Sequence, residues 1–106
     1  MSKNITIAVD AMGGDGSPKK IIDGIAHHNK NSNRIFYKIF GDKEKILSNL
    51  PSGLSKDVFE IFDTKNNVKG TDTPLEAAKR GKDTSMWLAI ESVKNKEADA
   101  IISAGN

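Results

Sequence analysis

Short runs of β-branched and aromatic residues alternate along this chain with segments of helical apolar spacing, and that alternation restricts the fold more than any other feature. Ile5-Thr6-Ile7-Ala8-Val9 is a continuous apolar run closed by Asp10 and a glycine cluster, which predicts a buried strand. Ser17-Pro18 then offers a helix cap with proline at the first helical position. Ile21, Ile22 and Ile25 supply one apolar stripe to about Asn29. Ile35–Phe40 predicts a second strand, turned by Gly41-Asp42. Asp42 caps a short helix with Ile46, Leu47 and Leu50 inward, ended by Pro51-Ser52-Gly53. Val58–Phe62 predicts a third strand, with a polar loop from Asp63 to Thr71. Thr73-Pro74-Leu75-Glu76 has the form of a capping box. Met86, Ala89, Ile90 and Val93 give the packed stripe of a further helix, with Trp87 off it, and Ala98–Ile102 predicts a fourth strand. Strands that alternate with helices form βαβ units, hence an α/β fold whose mostly parallel sheet carries helices on both faces.

Composition removes whole classes of function. With 106 residues there is room for one modest core and not for two full domains. Hydrophobic residues at 37% and charged residues at 28% suit a globular protein rather than a disordered one. The longest apolar runs are too short to cross a bilayer. The start, Met1-Ser2-Lys3-Asn4, lacks the long apolar region of a signal peptide, so the cytoplasm is the expected location. There is no cysteine, which excludes disulfides, thiolate metal sites and a cysteine nucleophile. Sixteen basic against 14 acidic residues leave a net charge of only +2, too little for a dedicated nucleic-acid face. His27 and His28 are adjacent instead of four apart, which fits a solvated helix end better than a metal pair.

In parallel sheets ligands bind beyond the carboxyl ends of the strands. Two of the three notable clusters in this sequence fall there. After the first strand comes Asp10-Ala11-Met12-Gly13-Gly14-Asp15-Gly16-Ser17-Pro18. Its glycines let backbone N–H groups converge on an anion beside a helix N-terminus. The cluster is neither a dinucleotide fingerprint, since Lys19 stands at the third glycine position, nor a Walker A loop. The same composition also serves a plain tight turn. After the last strand comes Ser103-Ala104-Gly105-Asn106, a small polar turn able to present N–H groups to an oxyanion, or an ordinary strand end. Between them Lys79, Arg80 and Lys82 form a cationic group beside the hydroxyls of Thr84 and Ser85. It suits a phosphate or the acidic surface of a carrier protein, and equally a solvated loop.

In wording and order the three clusters together resemble the bacterial phosphate acyltransferase family. The opening stretch Ile7–Asp15 resembles its first signature, and Gly41-Asp42 its second-strand turn. Asp72, Pro74, Ala77, Arg80, Lys82, Asp83, Ser85 and Met86 resemble its central block. Ala98-Asp99-Ala100 with Ser103–Asn106 resembles the end of its next strand. Lys79 and Thr84 depart from it, standing where arginine and serine are expected. The resemblance implies a Rossmann-like, isocitrate-dehydrogenase-like αβα architecture, with residues 1–106 forming the N-terminal part of a single acyltransferase domain. It implies transfer of a fatty acyl group from acyl carrier protein to inorganic phosphate, without metal or organic cofactor. The product, acyl phosphate, would pass to a glycerol-3-phosphate acyltransferase of phospholipid synthesis. It further implies a homodimer with peripheral membrane contact, both resting on a remainder that this chain, inactive alone, would need.

On this reading Gly13, Gly14, Ser103, Gly105 and Asn106 line the pocket, with Arg80, Lys82 and Ser85 nearby. Asp10 and Asp15 are the candidate catalytic carboxylates by chemistry and location. The alternatives are a non-catalytic phosphate- or nucleotide-binding α/β module and an inactive remnant of the enzyme.

Overall fold

A computed structural model describes residues 5–14, 16–31, 34–64 and 84–103. In chain order the elements are β1 (Ile5–Asp10), α1 (Lys19–Asn31), β2 (Ile35–Gly41), α2 (Lys43–Ser48), a 3₁₀ turn (Lys56–Val58), β3 (Phe59–Asp63), α3 (Ser85–Lys94) and β4 (Ala100–Ser103). The strands form one all-parallel sheet in the order β3-β2-β1-β4. This is the α/β fold that the alternation predicts. Strands buried on both faces need continuous apolar runs, which β1 and β2 supply.

Side chains alternate across the strands, and the two faces have separate cores. Val9, Tyr37 and Ile39 point to the face covered by α1 and α2, where they pack with Ile22, Ile25, Ile46 and Leu54. Ala8 and Phe40 point to the opposite face and pack under Ala89 of α3. There Phe40 and Phe62 stack with centroids 4.9 Å apart, and the Lys38 ammonium lies 5.5 Å from the Phe62 ring centre. β1 and β4 are laced at their start by Asp99. Its N–H donates to the Thr6 carbonyl at 2.7 Å, and its carboxylate accepts from the Thr6 N–H at 2.8 Å.

Several local expectations are corrected. α1 starts at Lys19, so Pro18 precedes the helix rather than opening it. Ser17 turns its hydroxyl back to the Gly13 carbonyl and does not cap. The stripe of α3 is rotated: Ser85, Ala89 and Ser92 are buried, while Ile90 is exposed. Small residues let this helix approach Ala8 and Phe40 closely, which larger side chains would prevent. On α2 only Ile46 is buried and Leu47 faces solvent, because a helix of 6 residues covers little of the sheet. β3 starts one residue late, at Phe59, and β4 occupies Ala100–Ser103. His28 is not a merely solvated helix end: its Nδ1 lies 2.7 Å from the buried Tyr37 hydroxyl. The Asp42 cap is as expected, its carboxylate accepting from the Lys45 N–H at 3.3 Å. The polar loop from Asp63 to Thr71 lies mostly, and the Thr73–Glu76 capping box wholly, outside the described residues.

α3 closes at Lys96, a lysine held at φ 63°, whose N–H donates to the Val93 carbonyl at 3.0 Å while the Glu97 N–H donates to the Ser92 carbonyl at 2.8 Å. Glycine occupies this left-handed position without steric cost. Lys96→Gly should therefore raise stability by about 0.5–1 kcal/mol, read as a higher urea midpoint at unchanged slope.

Candidate functional site

The carboxylate of Asp10 organises the C-terminal end of the sheet. Asp10 is the last residue of β1 and is 2% exposed. Its register partner on β4 is Ser103, so both side chains lie on the face covered by α3. The Ser103 hydroxyl donates to Asp10 Oδ2 at 2.8 Å. Ser85, the first residue of α3, donates its hydroxyl to Asp10 Oδ1 at 2.5 Å, and the Met12 N–H donates to the same oxygen at 3.1 Å. A buried carboxylate requires such partners, and here three donors from three segments supply them.

Thr84 sets the position of Ser85. As the cap of α3, its hydroxyl accepts from the Trp87 N–H at 3.1 Å, which fixes the start of the helix against the sheet. The hydroxyls of Ser85 and Ser103 both direct their protons to Asp10. The exposed Ser103 oxygen is thereby left as an acceptor toward a ligand, not a donor, while the Ser85 oxygen is buried. Donors for an anion must come from elsewhere.

The glycine-rich backbone nearest to the two serines is the turn after β1, where the Ala11 and Met12 N–H groups are already bonded. Its first residue, Ala11, is buried and donates its N–H to the Phe40 carbonyl at 2.9 Å. Gly14 and Gly16 follow at φ of 81° and 80°, a region that side chains disfavour. Gly41, at the end of β2, makes room for the same turn. A Cβ there would sit 3.0 Å from Met12 Sδ and 3.0 Å from Ile46 Cδ1. The turn then delivers the chain to the N-terminal end of α1, which carries partial positive charge; there the Lys20 and Ile22 N–H groups donate to the Gly16 and Pro18 carbonyls at 3.1 and 3.0 Å.

Of the residues singled out from sequence, Asp10, Gly13, Gly14, Ser85 and Ser103 come together at one end of the sheet. Asp15, Arg80, Lys82, Gly105 and Asn106 lie outside the described residues. Sequence reasoning did not single out the Met12 N–H or foresee that both serines converge on Asp10. The available signal was an acidic residue closing an apolar strand, with serines at the start of one later helix and the end of one later strand. Among the described residues no group of three or more His, Asp or Glu side chains is placed to hold a metal ion.

The comparison that decides the family is with a profile described as "Fatty acid synthesis protein", which matches residues 5–106. The chain belongs to that family. Among its curated relatives, a phosphate acyltransferase of Pelagibacter ubique is 68% identical over 106 residues, covering 100% of this chain and 32% of the relative. Phosphate acyltransferases of Rhodospirillum rubrum and Oenococcus oeni are 40% and 38% identical, again over the whole chain and over 31% and 30% of their own lengths. The chain thus spans about a third of the length of the relatives it matches, as their N-terminal portion.

Proposed function

We propose that the Asp10 cluster is part of a site that transfers a fatty acyl group from acyl carrier protein to inorganic phosphate. The observation that carries this reading is the buried Asp10 carboxylate, bonded to Ser85 and Ser103 beside a glycine turn and a helix N-terminus. Family membership supports it.

The reaction needs a nucleophile, and phosphate is one. A phosphate oxygen attacks the thioester carbonyl carbon, forming a C–O bond and a tetrahedral oxyanion. Collapse expels the carrier-protein thiolate, which takes up a proton, and leaves acyl phosphate. Such a site works by holding a dianion and a thioester together and by stabilising the oxyanion. The Gly13 and Gly14 backbone and the start of α1 suit the phosphate. The exposed Ser103 oxygen, as an acceptor, suits a P–OH group of that phosphate, and the buried Ser85 hydroxyl holds Asp10 in place. Asp10 then acts as a positioning residue that fixes both serines and the turn, since both of its oxygens are already engaged. Arg80, Lys82, Gly105 and Asn106 are proposed to add charge and N–H donors at the same end, with Asp15 the remaining candidate base. Residues 1–106 are on this reading the N-terminal part of one acyltransferase domain, and acyl phosphate, a reactive mixed anhydride, would be consumed by a glycerol-3-phosphate acyltransferase. A cytoplasmic homodimer with peripheral membrane contact belongs to the same proposal.

The test joins this chain at Asn106 to the part of the Pelagibacter ubique relative that follows the matched region. This extended protein should release free thiol from palmitoyl-acyl carrier protein only when phosphate is added, with sulfate inactive. A folded extended protein that releases none would favour a phosphate-binding module over an enzyme.

A further inference from the structure

The turn that closes β2 carries a polar pocket that none of the chemistry above uses, at the same end of the sheet as Asp10 but beside β3. It has about 330 Å³ and is bordered by Asp42, Glu44, Asp63 and Thr64. The register of β2 with β3 sets Asp63 next to Gly41, and the Thr64 N–H donates to the Gly41 carbonyl at 2.8 Å, which holds both residues at the turn. Each aspartate uses one oxygen on the first turn of α2: Asp42 Oδ1 accepts from the Lys45 N–H at 3.3 Å, and Asp63 Oδ1 from the Lys43 N–H at 3.1 Å. Their other oxygens and the Glu44 carboxylate remain as acceptors. Among the described residues no ammonium or guanidinium lies within 4.0 Å of these three carboxylates. Thr64 is 3% exposed, yet its hydroxyl has no hydrogen-bond partner. A buried hydroxyl left without a partner is rare and costly. Rotation about χ1 suffices to present it to a seated ligand.

We propose that this pocket holds the pantetheine arm of the acyl donor, an inference that rests on the acyl-transfer reading and gives the arm its place. The pocket is rich in acceptors and negative charge, so it repels phosphate and selects a group that donates. Among the reactants the arm answers to that description, with two amide N–H groups and a hydroxyl, whereas the acyl chain has no donor and phosphate is an anion. The three carboxylates are not placed to share a metal ion, which favours an organic donor. Reach agrees as well. β3 lies two strand spacings from β1 in the sheet, about 10 Å. An extended arm sets its second amide and its hydroxyl about 8–12 Å from the thioester sulfur. A thioester at the Asp10 cluster therefore brings those donors to Asp42, Asp63 and Thr64.

The test uses the extended protein and reads binding before catalysis. Pantetheine without an acyl group is titrated in while the threonine methyl signals are followed by NMR, with Thr64→Val giving the assignment. The Thr64 methyl should shift saturably, and Asp63→Asn should weaken the apparent affinity about three- to tenfold, as expected for one hydrogen bond. Initial rates then compare palmitoyl-pantetheine with palmitoyl-N-acetylcysteamine, which keeps only the amide nearest the sulfur. Thr64→Val exchanges a hydroxyl without a partner for a methyl, so the variant should fold. It should raise KM for the longer arm about three- to tenfold at unchanged kcat and leave the shorter one unaffected. A Thr64 signal that pantetheine does not move overturns the proposal, as do equal effects of Thr64→Val on both thioesters. A shift produced by spermidine or Mg²⁺ and not by pantetheine also overturns it, in favour of a cation site. Saturable pantetheine binding in a protein that makes no acyl phosphate would uphold the subsite and sink the acyl-transfer reading, so the two failures are distinct.

Discussion

Asp10→Ala should be among the most damaging single substitutions at the sheet end, lowering the stability of the extended protein by on the order of 3 kcal/mol and abolishing its acyl transfer. The change removes the acceptor of two serine hydroxyls and of the Met12 N–H. Asp10 and Ser85 are each 2% exposed, so water does not readily replace the lost oxygens. Each buried donor left without a partner costs about 1–3 kcal/mol, partly relieved because hydroxyls can rotate. Asp10→Asn separates structure from function. It keeps the shape and one acceptor oxygen, yet places an NH₂ against a hydroxyl that now has to turn. Its stability should fall by only about 1 kcal/mol while kcat/KM for phosphate falls with it. Unchanged kcat/KM in the Asp10→Asn variant would show that the orientation of the serines does not matter to the reaction.

Ile39→Ala should cost about 2–5 kcal/mol, measured by urea unfolding of the same extended protein. Ile39 is 0% exposed in β2, between β1 and β3, and its register partners are Val9 and Ile61. It packs in the cluster that joins α1 and α2 to the sheet, so the cavity left by truncation has rigid walls on several sides. Leu47, which faces solvent on α2, serves as a comparison when truncated in the same way and should cost less than half as much.

The strands were legible because β-branched runs closed by polar turns have few other uses. Ile5–Val9 and Ile35–Phe40 needed no knowledge of their partners, and the parallel arrangement followed from the helical segments between them. The face of α3 was not legible. Met86, Ala89, Ile90 and Val93 have ideal apolar spacing, yet Ser85 and Ser92 are buried in place of Ile90. Close approach to Ala8 and the bond from Ser85 to Asp10 decide the rotation, and both are tertiary. The cap at Ser17-Pro18 misled for a related reason: the Ser17 hydroxyl donates to the Gly13 carbonyl and the helix begins only at Lys19. At the site, residue types were readable while their pairing was not. Asp10, Ser85 and Ser103 are up to 93 positions apart, and only the register of β1 with β4 brings them together. That both serine hydroxyls direct their protons to Asp10 is a tertiary fact which no spacing in the sequence reveals.

The most direct measurement follows radiolabelled inorganic phosphate through the reaction of the extended protein with palmitoyl-acyl carrier protein. Label should move into an organic-extractable acyl phosphate, one phosphate for each thiol released, with Asp10→Asn lowering both together. Thiol release without label in the organic phase would mean hydrolysis by water, and would contradict the assignment of phosphate as the nucleophile.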